Sequence, residues 1–367
     1  MIPVYRPYLR GNIRSYVNEC LETGWISSRG EFIARFEKAF ADFVGVDEAT
    51  SVSNGTVAIH LALEALGIGP GDEVIVPSFT YIASVNTILQ TGATPVYVDS
   101  LIETLQVDPA AIKAAITPRT KAVMVVHLYG HPCDMDAIVP ICREQSLLLI
   151  EDCAEAFGTL WKGKHVGTFG DVATFSFFGN KTITTGEGGM VLARDPAVLA
   201  RCRHLKSQGV SPTREYWHDA LAYNYRMTNI QAAIGLAQIE LADEILQKKQ
   251  ALAAAYQRGL MGLPLRFHAP VGDVVHSYWM CSIILNHAIH RDGLRTTLKQ
   301  AGVETRPFFP PAHLMPHSSA AGHFPNAQTL SESGINLPSF PEMSANEVAT
   351  VCATIESFFA EAFAERK

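Results

Sequence analysis

From about residue 48 to residue 195 the chain alternates short apolar runs with helix-like segments, and this alternation restricts the fold more than any other feature. Such a repeat predicts βα units and a mostly parallel sheet. The predicted strands are Ala49–Val52, Glu73–Pro77, Thr94–Val98, Ala122–His127, Leu147–Glu151, Ala173–Phe177 and Gly189–Ala193. The sequence therefore predicts an α/β fold with a doubly wound, seven-stranded sheet.

Helical patterns fill the connections of this sheet, and a different pattern follows it. The predicted helices are Ile13–Glu22, Glu31–Phe43, Thr56–Leu66, Tyr81–Gln90, Pro109–Ile116 and Met135–Glu144. After a long helical stretch the chain becomes richer in Pro and His, with a strand at Tyr278–Leu285 and helices at Arg291–Gln300 and Ala345–Phe363. We predict a large domain at residues 12–245 and a smaller α+β domain at residues 246–367, with residues 1–11 packing nearby.

Charge and composition narrow the classes of partner. A formal net charge of −7 argues against binding to nucleic acid or to an anionic membrane surface. The start of the chain, MIPVYRPYLRGN, lacks the apolar centre of a signal peptide, and no apolar run approaches the roughly 20 residues of a transmembrane helix. The seven cysteines form no C-x-x-C pair and are interpreted as reduced thiols. We expect a cytoplasmic protein that binds small molecules or protein.

Polar residues follow two of the predicted strands, at the sheet edge where ligands bind in open α/β folds. Asn54, Gly55 and Thr56 open a helix after the first strand, and free N–H groups at a helix start can bind an anion. Asp152 comes at the end of the apolar run in LLLIEDCAEA. For both places an ordinary helix cap is the alternative interpretation.

Lys181 lies in a glycine-rich loop directly after a strand, with Ser176 five residues before it. Such a lysine can be a solvated charge, a phosphate ligand or an amine that forms an imine. The phosphate-loop pattern G-x-x-x-x-G-K-[ST] is missing, and so is the dinucleotide pattern G-x-G-x-x-G after a strand. An anion site, a strand-end carboxylate and an amine together match the needs of pyridoxal 5'-phosphate.

His127, His131 and Cys133 stand close together in HLYGHPCD, and zinc takes such ligands. The segment, however, sits where a strand ends in a turn with Pro132, and the sequence has no second ligand cluster. We therefore predict no metal site.

Six stretches, in this order and over essentially the whole chain, resemble the DegT/DnrJ-type nucleotide-sugar aminotransferases. They are GWISSRG, VSNGTVAIHLAL, GDEVIVPSFTYIASVN, EDCAEAFG, FSFFGNKTITTGEGGM and YNYRMTNIQAAIGLAQ. The resemblance implies the fold type I architecture of pyridoxal-phosphate enzymes and a homodimer, which can pair into a tetramer. HLYGHPCDM, FFGNKTITTGEGGM and YWHDALAYNYRM are most similar to members that transfer the amino group of L-glutamate to C4 of GDP-4-keto-6-deoxymannose.

The resemblance also implies roles for single residues. Lys181 corresponds to the imine-forming lysine, Asp152 to the acid beside the pyridine nitrogen, and Tyr81 to the aromatic residue stacked on the ring, although Phe79 is only two residues away. Glu155 stands near the cofactor's 3'-oxygen, where many relatives carry Gln or His. Asn54, Gly55, Thr56 and Ser176 correspond to the phosphate site, and Asn224 to a residue contributed by the partner subunit. Trp25, Ser27, Arg226 and His313 lie in regions that meet the nucleotide sugar, though His313 can equally be an ordinary loop histidine.

Other functions stay open from the sequence alone. Relatives act on dTDP- or UDP-linked keto sugars or on a keto-octulosonate, and nothing in these residues fixes GDP. A sugar dehydratase branch carries histidine in place of the imine lysine, whereas this chain keeps Lys181. A non-catalytic protein with the same fold is a further alternative, although it would not need this set of polar residues.

Overall fold

The computed structural model describes residues 1–364. Its strands are short and its helices fill most connections between them. In chain order the strands are β1 (Thr50–Val52), β2 (Glu73–Pro77), β3 (Thr94–Val98), β4 (Thr120–Val126), β5 (Leu148–Asp152), β6 (Leu160–Trp161), β7 (Lys164–His165), β8 (Val172–Ser176), β9 (Gly189–Ala193), β10 (Leu265–Phe267), β11 (Val274–Val275), β12 (Cys281–Leu285), β13 (Arg306–Pro307) and β14 (Gly334–Leu337).

The helices follow the same order. They are α1 (Ile13–Thr23), α2 (Glu31–Val44), α3 (Gly55–Ala65), α4 (Ala83–Gln90), α5 (Pro109–Ala114), α6 (Met135–Glu144), α7 (Pro196–Lys206), α8 (Asn229–Ile239), α9 (Ala242–Gly259), α10 (Arg291–Gln300), α11 (Pro325–Ser333) and α12 (Ala345–Ala364). Short 3₁₀ turns occur at Leu128–Gly130, Ala288–His290 and Ala312–Leu314. Among the described residues, no helix has both the length and the apolarity needed to cross a membrane.

The large sheet has seven strands in the order β1, β9, β8, β5, β4, β2 and β3. Strand β9 runs antiparallel to both of its neighbours, β1 and β8, and the other four strand pairs are parallel, so the predicted mostly parallel seven-stranded sheet is confirmed. Side chains alternate between its faces, as the two-residue period of a strand requires. Met124 of β4 packs against the side covered by α3, α4 and α7, while its neighbour Val125 packs toward α5 and α6.

The smaller C-terminal region contains an antiparallel sheet in the order β10, β12, β14 and β13. Helix α9 connects it to the large sheet, because Ala242 and Ile245 belong to the large domain's core whereas Leu252 and Tyr256 belong to the C-terminal core. The domain boundary predicted near residue 245 thus falls inside a continuous helix. The N-terminal segment packs on the C-terminal region, where Ile2 exchanges backbone hydrogen bonds with the 302–304 segment.

Candidate active site

A cavity of about 570 Å³ opens at the carboxyl ends of the parallel strands. Asn54 follows β1, Asp152 ends β5 and Ser176 ends β8, so strands that are far apart in sequence deliver these side chains to one edge of the sheet. Of the residues predicted from the sequence, the structure brings eight together around this cavity. They are Asn54, Gly55, Thr56, Tyr81, Asp152, Glu155, Ser176 and Lys181.

The start of α3 forms one end of the cavity. Asn54 caps this helix, since its side-chain oxygen accepts a hydrogen bond from the Val57 N–H at 3.0 Å. Gly55 packs directly against Ser176, and a Cβ atom at position 55 would lie 2.6 Å from the Ser176 Cβ. The first N–H groups of a helix have no intrahelical acceptor and carry the positive end of its dipole. An anionic group therefore fits here.

Asp152 is buried, and both of its carboxylate oxygens accept hydrogen bonds. One oxygen accepts from the Ser84 hydroxyl at 2.7 Å and the other from the Ala154 N–H at 3.0 Å. Burial raises the pKa of Asp152, although these hydrogen bonds and the charge of Lys181 act against the increase. A cationic group next to Asp152 would stabilise its charged form.

Lys181 is enclosed by side chains from both regions of the chain. Its Nζ atom lies 3.7 Å from Glu155 Oε1 and 3.9 Å from the centre of the Trp279 ring. Its carbonyl oxygen accepts a hydrogen bond from the Tyr5 hydroxyl at 2.7 Å. Burial lowers the pKa of Lys181, while the charges of Glu155 and Asp152 act in the other direction.

Glu155 is the second buried carboxylate next to this lysine. Its Oε2 atom accepts a hydrogen bond from the Tyr129 N–H at 2.8 Å. Burial raises the pKa of Glu155 to about 7, a rise opposed mainly by the charge of Lys181. Near neutral pH the Glu155 carboxyl can therefore either hold or release a proton.

Aromatic side chains form the remaining wall. Tyr81 is half exposed in the cavity, and its ring centre lies 5.4 Å from that of Phe309. Phe79, by contrast, is buried against Phe308. Of the two candidates in the sequence, Tyr81 is therefore the one that faces the cavity. Phe178, Asn180, Glu187, Trp279 and Phe309 also line it but were not predicted.

The remaining predicted residues lie outside this cavity in the single chain. Asn224 is exposed, and its side-chain oxygen accepts a hydrogen bond from Arg226 at 3.1 Å. Trp25 and Ser27 are exposed in the segment before α2. Contacts of these residues with a bound substrate, or with a second subunit, stay predictions.

His313 occupies a closed position rather than a loop surface. Its Nδ1 atom lies 2.6 Å from the Ser78 hydroxyl, and its ring packs against Tyr97 and Phe324. His313 is not among the residues that line the cavity. The predicted contact with a sugar has no support from this geometry.

The two histidines of HLYGHPCD have different contact partners. His131 stacks on His268 and donates to the Pro132 carbonyl, whereas His127 faces Glu151 across 3.0 Å. His127, Glu151 and Cys153 bring their ligand atoms within 4.8 Å of one another. Glu151, however, already accepts hydrogen bonds from His127 and from three backbone N–H groups, those of Gly167, Phe169 and Gly170. The Glu151 carboxylate of this cluster is therefore fully engaged in hydrogen bonds with the protein itself.

Known proteins share both this sequence and this fold. The chain is 53% identical over 364 residues to a GDP-perosamine synthase of Vibrio cholerae, covering 98% of this chain and 99% of the relative. It is 55% identical over 361 residues to a GDP-perosamine synthase of Escherichia coli O157:H7, again covering 98% and 99%. Among solved structures, the aminotransferase TlmJ from Streptoalloteichus hindustanus matches with a TM-score of 0.95 at 33% identity, over 99% of this chain and 100% of that chain.

The family comparison agrees with these relatives. Residues 7–356 match the model of the DegT/DnrJ/EryC1/StrS aminotransferase family. The resemblance seen in the six sequence stretches and the predicted α/β fold with its seven-stranded sheet are thereby confirmed. The chain belongs to the DegT/DnrJ/EryC1/StrS aminotransferase family.

Proposed function

We propose that this protein is a pyridoxal-phosphate-dependent aminotransferase that moves the amino group of L-glutamate to C4 of GDP-4-keto-6-deoxymannose and so forms GDP-perosamine. The observation that carries the proposal is the convergence of Lys181, Asp152 and the start of α3 on one cavity. The chain's identity of 53–55% to two GDP-perosamine synthases supports the choice of substrate.

The cavity has a suitable group for each part of the cofactor. Asn54, Gly55, Thr56 and Ser176 would hold the phosphate, because helix N–H groups and a hydroxyl donate to its oxygens. Asp152 would face the ring nitrogen, and Tyr81 would cover one face of the ring. When bound, pyridoxal phosphate supplies an aldehyde that exchanges amines and a ring that withdraws electrons.

Lys181 would move the protons of the reaction. Burial lowers the pKa of its amine, which makes the neutral base more accessible near neutral pH. Nζ would take a proton from Cα of glutamate in the first half-reaction and deliver a proton to C4 of the keto sugar in the second. Glu155, 3.7 Å from Nζ, would hold the charged form of the amine between these steps.

A second copy of the chain would complete the site. Large apolar side chains are exposed in two segments, residues 24–30 and 210–226; they include Trp25, Ile26, Tyr216, Trp217 and Leu221. An exposed apolar surface of this kind favours association. In such a dimer Asn224 would reach the partner's cofactor site, and Trp25, Ser27 and Arg226 would meet the nucleotide sugar. All seven cysteines are free and buried, which supports a reducing compartment such as the cytoplasm.

The substrate is tested by turnover of the purified protein with L-glutamate on GDP-, dTDP- and UDP-linked 4-keto-6-deoxy sugars and on a keto-octulosonate. We expect amino-sugar formation with the GDP-linked substrate and at least a tenfold lower kcat/KM on the others, which corresponds to about 1.4 kcal/mol. Activity confined to a sugar without GDP would overturn the assignment of the nucleotide.

A further inference from the structure

Trp279 contacts Lys181 although it comes from the other region of the chain. It lies two residues before β12 of the C-terminal sheet, about a hundred residues from the lysine loop, and its indole ring forms part of the cavity wall. We propose that Trp279 is a positioning residue for Lys181: its ring face holds the amine, and its N–H group holds the main chain beside it. The proposal rests on the proposed role of Lys181 in the reaction.

Two separate contacts attach the indole to the lysine loop. The ring centre lies 3.9 Å from Lys181 Nζ, which is the geometry of a cation–π interaction. The ring Nε1–H donates a hydrogen bond to the Asn180 carbonyl at 2.7 Å. One residue therefore restrains both the end of the lysine side chain and the backbone from which that side chain extends.

Trp279 is itself held firmly in place. Its carbonyl oxygen accepts a hydrogen bond from the buried ammonium of Lys249 at 3.2 Å, and the same ammonium donates to Ser339 at 2.7 Å. Its ring stacks on Tyr129 with centres 6.0 Å apart and planes inclined by 14°. Tyr129 in turn donates its N–H to Glu155, the carboxylate on the other side of Lys181.

Lys181 thus lies between an aromatic face and a carboxylate that are connected through Tyr129. Trp is the strongest cation–π partner among the aromatic residues, and the attraction applies to the ammonium and not to the neutral amine. The indole should therefore favour the protonated form of Lys181 and fix its direction. A residue that only filled space would shield Lys181 from water, so removing it would leave the pKa of Lys181 unchanged or raise it.

The test compares wild-type protein with Trp279→Phe and Trp279→Leu, all in the cofactor-free form. Competitive acetylation across a pH series, followed by peptide mass spectrometry, measures the pKa of Lys181. We expect this pKa to fall by roughly 0.4 to 1.5 pH units in Trp279→Leu and by less in Trp279→Phe. The matched control is Trp161→Phe, because Trp161 contacts Lys162 and does not line the cavity.

An unchanged or raised pKa in both variants, with thermal unfolding close to wild type, would overturn the proposal. If Trp279→Leu does not fold, Trp279→Phe still gives the decisive value, because it keeps a ring and loses the indole's stronger attraction and its N–H. The measurement uses no cofactor and no substrate. Failure of the proposed function would show separately, as wild-type protein that does not transaminate.

Discussion

Lys181 and Glu155 face each other inside the cavity, and the protonation of one depends on the other. Their atoms Nζ and Oε1 are 3.7 Å apart, and both side chains are largely shielded from solvent. Charge on the lysine favours charge on the carboxylate, while burial opposes charge on both. A glutamine at position 155 would donate and accept hydrogen bonds but could not take up a proton, so Glu155 gives this site a second titrating group.

The raised pKa of Glu155 leads to a pH dependence of stability. Because burial raises this pKa from 4.5 to about 7, the unfolded chain releases the proton at lower pH than the folded protein does. The folded state therefore loses stability as pH rises from about 4.5 to about 7, by roughly 3 kcal/mol over the window. Glu155→Gln, which does not titrate, should lack this loss.

The measurement is urea unfolding of the cofactor-free protein at several pH values. We expect the free energy of unfolding of Glu155→Gln, relative to wild type, to increase across the window. Glu144→Gln, which changes an exposed glutamate outside the cavity, is the control. A difference between Glu155→Gln and wild type that stays constant across the window would contradict the raised pKa.

At this scale the sequence predicted most polar residues of the cavity and one aromatic wall residue, Tyr81, but not Phe178, Trp279 or Phe309. Lys181, Asp152 and Asn54 could be found because each lies at the end of a strand or in the loop after it, and parallel strands end at one edge. Trp279 could not be found in this way, because its contact with Lys181 depends on how the C-terminal region packs on the large sheet. His313 was predicted to contact the sugar, but its ring is enclosed by Tyr97 and Phe324. Nothing in the Pro-rich stretch around it indicated this burial.

Helix α3 and strand β8 approach each other closely at Gly55 and Ser176. The contact between Gly55 and Ser176 leaves no room for a side chain at position 55, where a Cβ would lie 2.6 Å from another Cβ. This approach aims the start of α3 at the cavity. Any substitution that pushes α3 and β8 apart should therefore lower the stability of the folded protein and weaken the binding of an anion at the start of α3.

Gly55→Ala tests this contact. We expect the substitution to lower the free energy of unfolding by about 1–3 kcal/mol, as overpacking of a dense interior does, and to weaken binding of pyridoxal phosphate measured by titration. Adding Ser176→Gly should recover part of the stability, because it removes the atoms that clash. Gly179→Ala is the control, since the nearest atom to its added Cβ is 4.0 Å away; an equal loss in both glycine variants would refute the explanation.

The seven strands of the large sheet could be predicted because most are buried apolar runs bounded by turn residues, although β1 is Thr-Ser-Val and β3 is exposed at its start. Strand β4 begins at Thr120, two residues before its predicted start. Strands β6, β7 and β11 were missed, because two-residue strands carry no periodic signal. Strand β6 pairs with its neighbour β7 and with β11, which comes from far along the chain. Helix α7 was missed as well, although Asp195 caps it and Pro196 follows at its first turn.

The whole molecule has a continuous apolar interior across its two regions. One core cluster contains Phe79 and Tyr129 from the large domain and Trp279, Phe308 and Leu330 from the C-terminal region. The N-terminal segment adds a further connection, since Tyr5 donates to the Lys181 carbonyl and the backbone N–H of Ser339 donates to the Val4 carbonyl. The cavity is therefore formed by both regions, whereas the sequence placed the predicted cofactor residues on the large domain alone.

Association of two chains is tested by subunit complementation. If Asn224 acts in the partner's site, Lys181→Ala and Asn224→Ala each inactivate a homodimer, but a mixed dimer contains one intact site. Refolding the two variants together in equal amounts should restore about a quarter of wild-type activity, because about half of the dimers are mixed. Refolding each variant alone is the control, and absence of recovery in the mixture would show that Asn224 does not act across the interface.

The role of Lys181 is tested most directly by borohydride reduction of protein loaded with pyridoxal phosphate, followed by peptide mass spectrometry. Reduction makes the bond between the cofactor and its lysine permanent, so the modified residue can be identified. We expect the added mass on Lys181 in wild-type protein and on no lysine in Lys181→Ala. An unmodified Lys181 in loaded protein, or the added mass on another lysine such as the buried Lys249, would contradict the assignment of Lys181.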